Sequence, residues 1–146
     1  MSMESKQASV LVIESHPMMR EPLCNAIAAE KDLKVAESAA FEPNAFELNI
    51  SSQHDVLYLK RRPDIVLFSL GNPGLEDIDI LINLRKKLSD TPILALTPNE
   101  STEQDQAALE HGAHAVITKS ASRNELVQAL RSIRKSFLQT QKLFAL

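Results

Sequence analysis

The 146-residue sequence predicts a doubly wound α/β domain: a five-stranded parallel sheet with helices on both faces. Three observations carry this. Short, continuous runs of β-branched and aliphatic residues alternate with segments of helical periodicity, as parallel strands joined by helical crossovers do. The length is that of one domain, since domains run to roughly 100–200 residues. An apolar fraction of 44% beside 24% charged residues suffices for a core and excludes wholesale disorder.

The elements follow in order. Ser9 to Ile13 reads as a strand buried on both faces. Pro17 suits the first turn of a helix, where its missing N–H costs nothing, and Met18, Leu23, Ile27 and Ala28 lie near one helical stripe before Lys31 and Asp32. Leu33 to Ala36 is a second, weaker strand. The third, Asp64 to Leu70, follows Pro63 and ends at the turn Gly71-Asn72-Pro73-Gly74. Ile78, Leu81, Ile82 and Leu84 then mark an amphipathic helix to about Leu88. Pro92 to Leu96 is the fourth strand. Ser101 with Gln104 can box the start of a helix that Gly112 stops. Ala115 to Ile117 is the fifth strand, and Ser122 with Glu125 boxes the last helix. The stretch from Ala39 to about His54 is long for one connection; it is expected to hold an irregular loop or an extra turn before a helix from about Asp55 to Arg62.

Composition bounds the function. No apolar run approaches the ~20 residues of a membrane span, and the first seven residues lack the apolar stretch of a secretory signal. A single cysteine, Cys24, excludes an internal disulfide and a multi-thiolate zinc site, so the cytoplasm is the expected location. On a helix beside Leu23 and Ile27 it reads as a small buried hydrophobe. The net charge of −3 argues against nucleic-acid binding over the whole surface. The charge is uneven: residues 1–120 carry 11 Lys/Arg against 18 Asp/Glu, whereas residues 121–146 carry five cations against Glu125 alone. That basic end either touches nucleic acid or an acidic partner, or reflects cations favouring a helix terminus.

In an open parallel sheet, chemistry belongs at the carboxyl ends of the strands. Glu14, Ser15 and His16 follow the first strand, Ser69 to Gly71 end the third, Thr97 and Pro98 follow the fourth, and Lys119 follows the fifth. One acid, a few hydroxyls and one lysine therefore converge on one edge.

These segments resemble bacterial response-regulator receiver domains. Val12 to Arg20, with Glu14-Ser15-His16-Pro17, is similar to the family's opening, where a strand runs into two acids, His-Pro and an Arg. Pro63 to Gly74 resembles the phosphoacceptor strand and its turn, Ile93 to Thr97 the strand ending in the switch hydroxyl, and Gly112 to Ser120 the run that delivers the lysine. The His-Pro opening is most like receivers of LuxR-type transcription factors, which carry a carboxyl-terminal helix-turn-helix. The resemblance covers about residues 9–136, apart from the long connection, and implies a flavodoxin-like receiver domain there. Residues 1–8 are then a flexible amino terminus, and residues 137–146 a helical extension or linker.

The resemblance implies phosphoryl transfer from a histidine kinase to an aspartate with Mg²⁺, chemistry that rests on charged oxygen ligands and positioning. Typical receivers supply three carboxylates. Here Glu14 and Ser15 stand at the acid pair and Ser69 at the acceptor, so one carboxylate remains, while Thr97 and Lys119 are kept. Pro98 stands where the family usually has a small residue, and Val116 where it has a swinging aromatic ring. A serine without a positioned base is a poor nucleophile. The expectation is a pseudo-receiver, neither an enzyme nor in need of a metal or other cofactor, whose degenerate pocket is Glu14, Ser15, Ser69, Thr97 and Lys119. The alternative is a phosphorelay receiver using a non-standard site with weak Mg-dependent transfer. With no acceptor aspartate, Glu14 is expected to contact Lys119, because an unpaired ammonium in a partly buried cleft is costly.

Smaller features read blandly. His111 and His114 have a spacing compatible with a metal pair, but Gly112 ends the helix between them. His16 reads as structural or a surface contact. Leu126, Leu130, Ile133 and Phe137 form the stripe of a helix laid on a core. Nothing stops that helix before Phe144, which leaves Leu138, Leu143 and Phe144 as surplus apolar surface: either a partner site or part of a linker. A homodimer through the carboxyl-terminal half and protein partners in a signalling pathway are expected, with no membrane. DNA contact is expected only through a helix-turn-helix beyond this chain.

Overall fold

A computed structural model of the chain describes residues 7–14, 17–39, 62–70, 75–98 and 102–145. The elements run β1 (Ala8–Ile13), α1 (Pro17–Ala28), β2 (Leu33–Ala39), β3 (Ile65–Ser69), α2 (Leu75–Lys87), β4 (Ile93–Thr97), α3 (Thr102–Glu110), β5 (Ala115–Thr118) and α4 (Arg123–Ala145). The five strands form one sheet in the order β2-β1-β3-β4-β5, each pair parallel. The doubly wound sheet predicted from the strand runs is the fold observed. The stretch 40–61, with its expected loop and helix, and the expected cap Ser101 lie outside the described residues.

Alternation along the strands builds two core layers, because successive side chains point to opposite faces. Leu11, Ile13, Val66, Phe68, Ile93 and Ala95 meet Ile80, Leu81, Leu84 and Leu88 of α2 and its end, with Ala108 of α3. Val10, Val12, Ile65, Leu67, Leu94 and Leu96 meet Ile27 of α1 and Leu126, Val127, Leu130 and Ile133 of α4. The central strands β3 and β4 are buried throughout, while the edge strand β5 is half-buried.

Three local findings refine the sequence reading. β2 runs three residues beyond the expected Ala36, to Ala39. Its pairing steps from Val10↔Val35 to Leu11↔Glu37, so Ala36 is an extra residue, and backbone pairing with β1 carries the strand where apolar patterning fails. In α1 the buried stripe is Ile27 and Ala26 with half-buried Leu23 and Cys24; Met18 is 88% exposed and Ala28 also faces out. Met18 precedes Leu23 by five residues, which turns it well off that face. Third, α4 is one uninterrupted helix of 23 residues, about 34 Å long.

The ends of the helices follow their capping residues. The Ser122 N–H donates to Glu125 Oε1 (2.7 Å) and the Glu125 N–H to Ser122 Oγ (3.1 Å), the reciprocal box expected at the start of α4. After α3 the Ala113 N–H reaches back to the Ala108 carbonyl, with Gly112 at φ +136°. A Cβ on Gly112 would stand 2.9 Å from Arg85 Cβ, so both conformation and close approach require glycine.

Candidate functional site at the carboxyl ends of the strands

The strand order reverses at β1, so β1 and β3 leave the sheet into crossovers on opposite faces. In open parallel sheets ligands bind beside the carboxyl ends of the strands at such a reversal. Glu14 follows β1, Ser69 ends β3, Thr97 ends β4 and Lys119 follows β5, placing four of the expected pocket residues on adjacent strands. Backbone bonds fix their heights: the Leu70 N–H donates to the Leu96 carbonyl (2.8 Å) and the Lys119 N–H to the Thr97 carbonyl (2.7 Å). Ser15 and His16 lie outside the described residues.

Glu14 is fully buried, and the Lys119 ammonium stands 3.9 Å from its Oε1, itself mostly covered. The contact expected between them is present. Arg20, on the first turns of α1, donates to the Glu14 carbonyl oxygen at 3.1 Å and so fixes the backbone from which that carboxylate projects. Sequence reasoning gave Arg20 no such role; its spacing of six residues from Glu14 was the available signal.

Ser69 and Thr97 differ from this pair. Ser69 is 6% exposed and Thr97 0%, and neither hydroxyl has a hydrogen-bond partner among the described residues. Lys119, Ser69 and Thr97 supply donors to one edge, and among the described residues there only Glu14 supplies a carboxylate. Among the described residues no group of three or more His, Cys, Asp or Glu side chains is placed to hold a metal ion. This donor set does not fit a hard dication such as Mg²⁺, which takes several charged oxygens, and the acid present already faces an ammonium.

The other candidates are placed elsewhere. Leu138 is 43% exposed and lines a groove of about 240 Å³ at the opposite end of the sheet, with Pro63, Asp64, Pro92, Arg134 and Phe137. Leu143 and Phe144 lie on α4, but their side chains are outside the described residues. His111 Nδ1–H donates to the Ala107 carbonyl (2.7 Å), whereas His114 Nδ1 accepts the Ile93 N–H (3.0 Å), so each ring has its own structural bond. Within the basic end, Arg131 is spent internally. Its Nε and Nη2 grip Asp32 at 2.8 Å each, and Nη2 also reaches Glu30 at 2.7 Å, tying α4 to the α1–β2 connection. That grip holds the Asp32 carboxyl below its usual range and raises the already high Arg131.

This sheet order and carboxyl-edge site define a doubly wound receiver-type module, and comparison with known proteins agrees. The model of the family described as the response regulator receiver domain matches residues 10–131, and the chain belongs to that family. The glycerol metabolism activator of Pseudomonas putida is 29% identical over 125 residues, covering 85% of this chain and 52% of that protein. The nitrate/nitrite response regulator protein NarL of Escherichia coli K12 is 28% identical over 123 residues, 84% of this chain and 53% of that protein. The chain thus spans about half the length of these curated relatives. A LuxR-family two-component response regulator from Aurantimonas sp. SI85-9A1 superposes with a TM-score of 0.70 at 27% identity, over 90% of this chain and 87% of that one. The signal receiver domain of NarL from Mycobacterium tuberculosis also gives 0.70, at 23% identity, over 90% and 98%, and shows the shared fold. No described helix is long and apolar enough to cross a membrane.

Proposed function

We propose that this receiver domain has kept its scaffold and given up aspartyl phosphorylation. It acts in cytoplasmic signal transduction and transcription control through protein–protein contacts and its own dimerisation, and it is not an enzyme. One observation carries the reading: Ser69, at the end of β3, is a buried hydroxyl with no partner among the described residues, at an edge where the one carboxylate among those residues faces Lys119. A hydroxyl without a base is a weak phosphoacceptor, and a single paired carboxylate is a weak magnesium site. Residues 9–136 are the signalling unit. Residues 137–146 are the dimerisation segment: exposed Leu138 packs on a second copy, and Leu143 and Phe144 of the same segment are assigned to that contact from sequence. Contact with DNA is assigned to no part of this chain, only to a helix-turn-helix outside it.

Incubation with Mg²⁺ and acetyl phosphate, followed by intact mass, tests the first part. No phosphoryl adduct should appear. A stoichiometric adduct overturns the proposal in favour of a phosphorelay receiver with a non-standard acceptor. Sedimentation tests the second part: Leu138→Ser with Leu143→Ser and Phe144→Ser should convert a dimer to a monomer. Equal masses for the two proteins would remove dimerisation from the proposal.

A further inference from the structure

At the amino ends of the strands, His114, just before β5, links two elements distant in sequence, β4 and α4. Its backbone N–H donates to the Ile93 carbonyl at 2.8 Å, and its Nδ1 accepts the Ile93 N–H at 3.0 Å. A ring nitrogen that accepts carries no proton, so the imidazole is neutral with its proton on Nε2. Against this ring stands Phe137 of α4, with centroids 5.3 Å apart and planes at 88°, an edge-to-face contact. Phe137 follows Ile133 by one turn and continues the core-facing stripe of α4, whereas the next residue, Leu138, is exposed.

We propose that His114 is a pH-sensitive clasp, which seats the carboxyl-terminal half of α4 on the sheet while the ring is neutral and releases it when the ring is protonated. A proton on Nδ1 turns the acceptor into a donor that faces another donor. Ile93 is fully buried, so its N–H would lose its acceptor in a place water does not reach. The ring would then give up the position against which Phe137 packs.

The surrounding charges act in the same direction. From α2, Arg85 and Lys86 line the cleft that holds His114; from the end of α3, Glu110 and His111 line it. From α4 the charged neighbour of Phe137 is Arg134, which shares with it the groove beside Pro63 and Pro92. Of these charges, Arg85 is the one that acts on the ring. Burial first, and Arg85 second, push the His114 pKa below its ordinary 6.5. The neutral, seated state is therefore the one held at neutral pH, and release belongs to acid. Nothing in this device uses the Ser69 pocket.

Hydrogen exchange on the intact chain, followed by NMR together with the His114 ring signals, tests the clasp. Between about pH 7.5 and about pH 5, which bracket the histidine range, exchange is corrected for its intrinsic pH dependence. The Ile93 amide and the α4 amides from Phe137 onward should then lose protection together, by about tenfold or more, the factor for roughly one lost hydrogen bond. The midpoint should coincide with the titration of His114. In His114→Gln, whose amide oxygen accepts a hydrogen bond but takes no proton, protection should be equal at both pH values. In Phe137→Leu, His114 should still titrate while α4 no longer responds. The clasp is overturned if α4 protection is unchanged across the His114 titration, or if the response survives in either variant. Should His114→Gln fail to fold, the parent chain and Phe137→Leu decide it.

Discussion

The two ends of the parallel sheet treat their polar side chains differently. At the amino ends, the Asp64 carboxylate accepts from both the N–H and the hydroxyl of Ser9, Thr91 donates to the Pro63 carbonyl, and the His114 ring accepts from Ile93. At the carboxyl ends, Ser69 and Thr97 are buried hydroxyls with no partner among the described residues, beside a single charge pair. A buried polar group without a partner costs free energy, and native folds keep few of them. Folding therefore accounts for the polar groups at the amino end. Among the described residues it does not account for the Ser69 and Thr97 hydroxyls at the carboxyl end. Substitutions at the amino end should disturb stability, and those at the carboxyl end should separate sharply into the charge pair and the hydroxyls.

The largest effect should come from the pair. Lys119→Met removes the cation nearest a fully buried carboxylate, and breaking a buried pair is costly because the remaining charge stays desolvated. The separation is 3.9 Å and Lys119 keeps some contact with water, so a loss of about 2 kcal/mol is expected, at the low side of buried pairs. Urea unfolding measures it. In a Glu14→Gln background the same substitution should cost much less; an unchanged cost would show that the lysine acts by packing alone.

At the other end, Asp64→Ala should cost about 1–2 kcal/mol, since it leaves the half-buried Ser9 N–H and hydroxyl without the carboxylate oxygen they share. A neutral result would erase the contrast between the two ends.

The next effect is a pH dependence. Asp32 is held below its usual 3.8 by the Arg131 hydrogen bonds. A carboxyl with a depressed folded pKa contributes stability that is fully present above the unfolded value and is lost as pH falls through the folded one. Stability should therefore drop as pH falls below about 3.8, and Arg131→Met should flatten that part of the profile. Because Arg131 and Asp32 are both partly exposed, the substitution itself should cost about 1 kcal/mol at neutral pH. Parallel profiles for the two proteins would show that the grip adds nothing in solution.

Legibility in the sequence followed the range of the interactions. β1, β3 and β4 were legible because continuous apolar runs such as Ile65 to Phe68 suit only strands covered on both faces. The Ser122–Glu125 box and the Gly112 stop were legible because capping acts over three or four residues. The end of β2 was not, since residues 37–39 are held by pairing with Leu11 to Ile13 rather than by any pattern of their own. Of the pocket, Glu14, Ser69, Thr97 and Lys119 could be placed from strand ends alone, and the Glu14–Lys119 contact followed from charge. Arg131 looked like one of five surface cations, because its partners lie 99 and 101 residues away. His114 reads blandly in the sequence and shows no structural role there, because nothing local announces an acceptor bond to Ile93, 21 residues upstream.

The smallest effect should fall on the hydroxyls, and its sign is the informative part. Ser69→Ala and Thr97→Val each delete a buried oxygen with no partner among the described residues while keeping most of the volume. Where a buried hydroxyl is satisfied, its removal costs about 1 kcal/mol; where it is not, removal relieves a desolvation penalty and is neutral or stabilising. Both variants should therefore match or exceed the parent in urea midpoint, by no more than about 1 kcal/mol. Ser69→Asp makes the opposite change, restoring the residue type that the family uses as acceptor. It places a second carboxylate near buried Glu14 with one ammonium to share, so it should destabilise the domain, and Mg²⁺ should recover part of the loss by binding the folded form. If Ser69→Ala proves costly instead, the hydroxyl has a partner in the folded protein. The carboxyl end would then be as fully bonded as the amino end, and the contrast between them would not hold.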